Sequence, residues 1–249
     1  MVADENLYIL AGCRSGGGLV DRFKPEARSG ARLLLIRCAH SESHDDGAAG
    51  RAGDRELSPT GRSQAARLAE RLAAEQCTLE ISHVYSTRLR RAAQTAAVVA
   101  DVLGLSVHAE LLGLAGAVLG ESTQRLPSGD EPLVASAAVG EGEQTWEQRA
   151  PRVGRELELI AGKHPGETVV VICHQACILA ATQHFLEATY SQAHASMEVD
   201  HTAITEWQLR PLDHKASGAE GLRWVLRRAN DAEHLRPQLR RSTRRGRHS

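Results

Sequence analysis

Residues 33–40 read Leu-Leu-Leu-Ile-Arg-Cys-Ala-His, an unbroken apolar run that stops abruptly at charged and reactive side chains. A short continuous apolar run is typical of a strand that is buried on both faces of a mainly parallel sheet. Residues 168–174, Thr-Val-Val-Val-Ile-Cys-His, repeat the pattern. In open parallel sheets, ligands bind at the carboxyl ends of the strands. The two runs therefore predict a ligand site where Arg37 and His174 follow their strands.

Helical patterns alternate with strand patterns through the centre of the chain. Ser58 and Pro59 predict a helix start, because serine is a favoured N-cap and proline is tolerated at the first helical position. The remaining periodic segments predict strands over 81–86, 201–209 and 222–227 and helices over 88–103, 146–161 and 178–186. This alternation predicts an α/β fold, a three-layer α/β/α sandwich around a mainly parallel sheet.

The two ends of the chain lack these patterns. Residues 1–30 contain three consecutive glycines and no sustained period, which predicts a weakly ordered leader. Residues 236–249 contain six arginines without an apolar stripe, which predicts a basic, disordered tail. The domain itself is expected over 31–235. Within it, residues 111–140 are rich in Gly, Ala and Ser and predict an irregular insertion that lines or covers a pocket.

The composition of the 249 residues bounds the class of protein. A chain with 42% hydrophobic and 24% charged residues is typical of a globular protein. No apolar run approaches the roughly 18 residues that a membrane helix needs, so we expect a cytoplasmic protein without membrane contact. Only 3% of the residues are aromatic, which leaves little for base stacking and argues against a nucleic-acid partner. The five cysteines form no Cys-x-x-Cys pair, so neither a zinc ribbon nor structural disulfides are predicted. The sequence does not indicate an oligomeric state.

Arg37, Arg91 and His174 each lie at or just after the end of a predicted strand. If these strands are neighbours, two guanidinium groups and an imidazole form one cationic pocket. Guanidinium groups match phosphate oxygens bidentately, so the implied ligand is a phosphate monoester or another small oxyanion. The alternative is that these side chains cap helices or pair with acidic residues.

Further segments carry a resemblance to a known family. Residues 57–65 read Leu-Ser-Pro-Thr-Gly-Arg-Ser-Gln-Ala, and residues 85–96 read Tyr-Ser-Thr-Arg-Leu-Arg-Arg-Ala-Ala-Gln-Thr-Ala. With residues 33–37, 142–149, 169–174 and 201–207, they resemble the ordered motifs of the histidine phosphatase superfamily, in its phosphoglycerate-mutase-like group. The resemblance implies that family's α/β fold and a phosphatase that acts on a small phosphorylated substrate without a cofactor. It also implies phosphate-binding roles for Arg37, Arg91 and His174.

The chain departs from the family pattern at the nucleophile. The resemblance implies that a histidine should follow Arg37 and attack phosphorus, while a carboxylic acid protonates the leaving oxygen. Here Cys38 follows Arg37, and His40 comes two residues later. The expected position of the acid is occupied by Leu112, and the nearest carboxylate is Glu110. The candidate catalytic residues are therefore Cys38, His40, His174 and Glu110.

Three interpretations of Cys38 stay open at this point. In the first, the nucleophile is lost and the protein is a pseudophosphatase that binds a phosphorylated ligand or partner. In the second, Cys38 is the nucleophile, because neighbouring guanidinium groups and a histidine favour its thiolate. In the third, His40 is the nucleophile, which requires a two-residue shift of several ångströms along the backbone.

A metal-dependent hydrolase is a separate hypothesis. The segment after the first strand is rich in residues that bind metals: His40, Glu42, His44, Asp45 and Asp46. Their spacing matches no helix-borne ligand pattern, so the sequence predicts no metal site. Other histidines are scattered singly and are expected to be surface or hydrogen-bonded residues rather than ligands: His83, His108, His164, His184, His194, His214 and His234.

Overall fold

A computed structural model of the chain describes residues 30–42, 55–109, 146–188, 197–211 and 221–236. Within these ranges the strands are β1 (Arg32–Arg37), β2 (Ile81–Ser86), β3 (Val107–Ala109), β4 (Thr168–Cys173), β5 (Ile204–Pro211) and β6 (Leu222–Asp231). The helices are α1 (Pro59–Leu79), α2 (Arg90–Leu103), α3 (Trp146–Lys163) and α4 (Gln175–Phe185), and a short 3₁₀ helix spans Glu233–Leu235.

The strands form one sheet in the order β3-β2-β4-β1-β5-β6. β1 pairs in parallel with β4, β4 with β2, and β2 with β3. β5 is antiparallel to β1, and β6 is antiparallel to β5. The sheet is thus mixed at one edge and parallel in its centre, which confirms the predicted α/β class with a mainly parallel sheet.

Each face of the sheet packs against a pair of helices. Leu33 and Leu35 of β1 lie in one core with residues of α3 and α4, while Leu34 and Ile36 lie in a second core with residues of α1 and α2. All four of these β1 side chains are fully buried. Because successive side chains of a strand point to opposite faces, an unbroken apolar run is what a strand between two helical layers requires. The predicted three-layer arrangement is confirmed.

The start of α1 is held close to the loop that follows β1. The Ser58 side chain caps the helix by accepting a hydrogen bond from the Gly61 backbone N–H at 3.0 Å, and Pro59 is the first helical residue, as the sequence predicts. A Cβ atom on Gly61 would lie only 1.9 Å from the carbonyl oxygen of His40. Glycine is therefore needed here so that the helix and the loop can approach.

Several element bounds differ from the predictions. The strands predicted over 81–86 and 168–173 are confirmed with those bounds. β3 was not predicted, because three residues are too short to show a period. β5 begins at Ile204 instead of 201, after a turn in which Thr202 has a φ of 60°. The helix predicted from residue 178 begins at Gln175.

Other expectations concern residues that the structure does not describe. The insertion over 111–140, the leader up to residue 29 and the tail from 237 lie outside the described residues, so the domain bounds stay predictions. The expectation of no structural disulfide is wrong at Cys77, which is disulfide-bonded, whereas Cys38, Cys173 and Cys177 form no disulfide. Among the described residues, no helix has the length and apolar character to span a membrane.

A network of ion pairs connects α1 with β6. Arg71 on α1 donates to both carboxylate oxygens of Asp231, to Oδ1 at 2.9 Å, and also pairs with Glu75 at 2.8 Å. Arg228 on β6 bridges Glu75 and Glu206 at 3.0 and 2.6 Å. The hydrogen bonds from Arg71 are the main cause that lowers the pKa of Asp231 to about 2.

We predict that Gly61→Ala lowers the free energy of unfolding by about 2–3 kcal/mol or more, because a new methyl group meets backbone that cannot move aside. Gly162, which is exposed in the last turn of α3, is the matched control, since a Cβ there has open space within 4 Å. Gly162→Ala is expected to leave stability unchanged or raise it by up to about 1 kcal/mol. Urea denaturation of both variants measures this, and equal effects would contradict the close approach.

Asp231→Asn is expected to lower the free energy of unfolding, and the size of this effect is expected to depend on pH. Because the pKa of Asp231 is lower in the folded chain than in the unfolded chain, its carboxylate stabilises the fold above about pH 4, and this contribution is lost as the pH falls towards 2. The difference in unfolding free energy between wild type and variant should therefore be largest near pH 5–6 and shrink towards pH 2. Urea denaturation across this range tests the prediction, with Asp101→Asn on the exposed side of α2 as the control. A difference that does not change with pH would contradict it.

Candidate active site

Two adjacent parallel strands place the central residues of the site. Arg37 at the end of β1 pairs in register with Cys173 at the end of β4. The next residues continue this alignment, since the Cys38 backbone N–H donates to the Cys173 carbonyl at 2.8 Å. Cys38 and His174 therefore leave the sheet side by side, and Cys38 Sγ lies 3.4 Å from His174 Nδ1. Both side chains are buried, with 3% and 1% exposure.

The imidazole of His174 is held on both sides. Its Nε2 lies 2.8 Å from the Oγ1 atom of Thr87, the buried residue that follows β2. Burial is the main cause that lowers the pKa of His174 to about 3, and the charges of Arg91 and Arg37 add to it. The ring is consequently neutral at pH 7, with one nitrogen that donates and one that accepts.

Two arginines supply positive charge around this histidine. Arg91 lies in the first turn of α2 and is buried, with 8% exposure. Arg37 is partly buried, and its guanidinium group donates to the Val199 carbonyl. Both charges are close enough to act on His174. The structure thus brings Arg37, Arg91 and His174 near one another at the carboxyl ends of the central strands.

His40 lies apart from this group. Its side chain is exposed, and its Nδ1 is 2.8 Å from Ser58 Oγ at the start of α1. Its backbone N–H donates to Gln64 Oε1 at 2.9 Å, and its carbonyl accepts from the Ser58 N–H at 3.1 Å. Of the two candidate nucleophiles, Cys38 is therefore the one that contacts His174.

Hydrogen bonds to the backbone explain why glutamine and threonine stand at three positions of the helical motifs. Gln64 on α1 and Thr95 on α2 accept from the backbone N–H groups of His40 and Ala39, the latter at 3.1 Å. Gln94 accepts from the Leu57 N–H at 2.8 Å. The glutamines and the threonine of the two helical motifs thus accept hydrogen bonds from backbone N–H groups of the loop that joins β1 to α1 and carries Cys38. These hydrogen bonds hold the loop against both α1 and α2.

His201 is a site residue that the sequence interpretation missed. Its Nδ1 donates to the Cys38 carbonyl at 2.9 Å, and its ring meets that of His40 edge-on with centroids 5.3 Å apart. Burial is the main cause that lowers its pKa. Thr87 was missed in the same way. Each stands inside a motif segment at a strand end, which was the available signal, but only the folded chain shows what it contacts.

Two further cysteines lie beneath the site. The hydrogen bond with Cys177, and then burial, raise the pKa of the Cys173 thiol well above its usual range. Cys173 therefore remains protonated, and it faces the protein core. Both residues pack in the apolar core as thiols without a disulfide bond.

Some predicted residues cannot be placed. Glu110 and Leu112, which bear on the general acid, lie outside the described residues. So do His44, Asp45 and Asp46 of the metal-hydrolase hypothesis. In the described part of the chain, His40 and Glu42 are not members of any group of three potential metal ligands.

Comparison with known proteins identifies the family of this fold and site. The model of the histidine phosphatase superfamily (branch 1) matches residues 33–219, which include the segments that carry Cys38, Arg91 and His174. The chain belongs to the histidine phosphatase superfamily. The resemblance seen in the motifs is thereby confirmed.

Individual members of the superfamily show similar sequences and folds. Phosphoglycerate mutase-like protein 4 of Arabidopsis thaliana is 32% identical over 63% of this chain and 72% of its own length. The metal-independent phosphoserine phosphatase of the same plant is 28% identical over 70% of this chain and 78% of its own. A solved structure of phosphoserine phosphatase from Entamoeba histolytica, in complex with 3-phosphoglyceric acid, superposes with a TM-score of 0.60 at 20% identity. That superposition covers 82% of this chain and 99% of the other, and it supports the superfamily fold.

Proposed function

We propose that this histidine phosphatase superfamily member binds a small phosphate monoester and hydrolyses it without a cofactor, with the Cys38 thiol as nucleophile. The observation that carries the proposal is the contact of 3.4 Å between the buried Cys38 Sγ and His174 Nδ1, with the charges of Arg91 and Arg37 acting on that imidazole. A nucleophile beside a base that is itself held by a third group is the usual arrangement for covalent catalysis. Here Thr87 is the third group.

Charge supports phosphate as the ligand. Two permanent guanidinium charges, those of Arg91 and Arg37, act on the neutral imidazole of His174. The guanidinium groups match a phosphate monoester in charge and in shape. The named relatives include a phosphoserine phosphatase, and a structural neighbour holds 3-phosphoglyceric acid. The proposed substrate class is therefore a small phosphorylated metabolite of that size.

The proposed reaction has two steps. In the first, the thiol proton passes to His174 Nδ1, the sulfur attacks phosphorus, and the bond from phosphorus to the leaving oxygen breaks as an acid protonates that oxygen. Glu110 is the proposed acid. In the second, water attacks the phosphocysteine and gives a proton to the deprotonated acid, the sulfur–phosphorus bond breaks, the leaving thiolate regains its proton from His174, and inorganic phosphate leaves. Arg37 and Arg91 stabilise the charge on the phosphoryl oxygens in both steps.

A pseudophosphatase is the second candidate, and the burial of Cys38 favours it. The thiol has 3% exposure and a shorter stem than a histidine, so its sulfur is set back from a phosphate that Arg37 and Arg91 hold. Misplacement by about 1 Å already costs on the order of a hundredfold in rate. In this candidate the site binds a phosphorylated ligand and turns it over negligibly. The cytoplasmic location and the absence of a nucleic-acid partner stay predictions for either candidate.

Binding is tested by thermal unfolding with inorganic phosphate, sulfate or vanadate. An anion that binds only the folded chain raises the Tm, and we expect Arg91→Ala to abolish this shift. Arg90→Ala is the matched control, because Arg90 is the preceding residue but is exposed and pairs with Glu56. An unchanged shift in Arg91→Ala, or an equal loss in both variants, would remove Arg91 from the proposed site.

The nucleophile is tested with an aryl phosphate, whose leaving group needs little protonation. We expect slow turnover by the wild type, loss of activity in Cys38→Ser and its retention in His40→Ala. Rapid quenching should show one added phosphoryl group on the peptide that contains Cys38. Cys38→His is expected to raise turnover by on the order of a hundredfold or more, because the imidazole reaches further towards phosphorus.

The remaining outcomes separate the alternatives. Anion binding without turnover in the wild type would establish the pseudophosphatase. Activity that survives Cys38→Ser and is lost in His40→Ala would move the nucleophile to His40.

A further inference from the structure

Three histidines that stand far apart in the sequence meet on the sheet. His83 lies on β2, His108 on β3, and His164 directly after α3. The ring centroid of His83 lies 5.1 Å from that of His108 and 3.8 Å from that of His164. Histidines that are scattered singly in the sequence are therefore neighbours in the folded chain, and they are hydrogen-bonded as expected. Glu167, in the turn between α3 and β4, completes the group.

One carboxylate oxygen joins two of the imidazoles. Glu167 Oε2 is 2.8 Å from His83 Nε2 and 3.2 Å from His164 Nδ1. Ligand atoms of His83, His164 and Glu167 all lie within 4.8 Å of one another. Around a tetrahedral ion with bonds of about 2.0–2.1 Å, ligand atoms are separated by roughly 3.3 Å. Small rotations of the three side chains are sufficient to surround one ion.

The other nitrogen of each ring is already occupied. His83 Nδ1 is 3.1 Å from His108 Nε2, and His164 Nε2 is 2.8 Å from the Tyr85 hydroxyl. When these two nitrogens carry the protons and donate, the lone pairs of His83 Nε2 and His164 Nδ1 both face Glu167. Metal-binding histidines are oriented by such a partner on the far side of the ring. Histidines that only face solvent do not need a hydrogen-bond partner on the far nitrogen of the ring.

We infer that His83, His164 and Glu167 form a binding site for Zn²⁺ or a similar divalent transition metal, with water at the remaining position. Two imidazoles and one carboxylate suit Zn²⁺ and do not suit Mg²⁺ or Ca²⁺, which prefer oxygen ligands. His108 and Tyr85 act as positioning residues. The Glu167 side chain has 46% exposure, so an ion reaches the site from solvent.

The location indicates a structural role. Glu167 directly precedes β4, whereas His174 directly follows it, so the whole length of the strand, about 20 Å, separates the metal site from the candidate active site. The ion would connect β2 to the turn between α3 and β4. It would stabilise the folded chain by selective binding and would take no part in phosphate chemistry.

The inference is tested on the full chain after removal of metals with a chelator. Titration with Zn²⁺, followed by calorimetry and by Tm, should show one site and a rise in Tm that the chelator reverses. His83→Ala and Glu167→Gln should each weaken Zn²⁺ binding by a hundredfold or more, and Tyr85→Phe by about tenfold. Glu158→Gln is the matched control, because Glu158 is equally exposed but pairs with a single histidine, His184. It should bind Zn²⁺ as the wild type does.

Titration with Co²⁺ distinguishes this site from the thiol of the candidate active site. A site of nitrogen and oxygen ligands gives visible bands without the near-ultraviolet thiolate band, and Cys38→Ser should leave the spectrum unchanged. A thiolate band that disappears in Cys38→Ser would overturn the inference, as would equal binding by Glu167→Gln and wild type. The absence of saturable binding by the wild type would also overturn it. None of these readouts depends on phosphatase activity.

Discussion

The parallel pairing of β1 with β4 is the constraint on which the site depends. The pairing aligns Arg37 with Cys173 and continues in the hydrogen bond from the Cys38 N–H to the Cys173 carbonyl. Because the register of two buried strands is fixed by their apolar side chains, a slip by one residue would turn those side chains to the wrong face. The register thus determines that Cys38 emerges beside His174. Everything else at the site adds to this alignment: Thr87 orients the imidazole, and His201 holds the Cys38 carbonyl.

The neighbouring charges determine the protonation state of His174. Burial and two neighbouring guanidinium charges keep His174 neutral, since a third positive charge in the same space would be strongly unfavourable. A bound phosphate changes this balance, because its negative charge stabilises the imidazolium form. His174 is therefore suited to accept a proton when the anion is present, which is when the proposed mechanism needs it to take one from Cys38.

The sequence predicts the parts of the fold that follow from local patterns. The apolar runs of β1 and β4, the Ser58 cap and the placement of Arg37 and His174 at strand ends could all be predicted, because each depends on a few consecutive residues. Thr87, His201 and the group around Glu167 were not readable, because their partners are up to 163 residues away. The histidine cluster needs the pairing of β2 with both β3 and β4 before it exists. β3, with three residues, shows too little pattern to predict.

The two ends of β4 illustrate how one strand supports two different histidine environments. At its carboxyl end, the buried His174 lies beside a thiol and two guanidinium charges, the environment of the proposed anionic ligand. At its amino end, His164 and His83 share the carboxylate of Glu167 near solvent, which favours a cation. The residue type is the same, and the sign of the neighbouring charge decides which kind of ligand it can hold. Since the buried strand separates the two groups by its full length, binding at one end can stabilise the fold without altering the charge balance at the other.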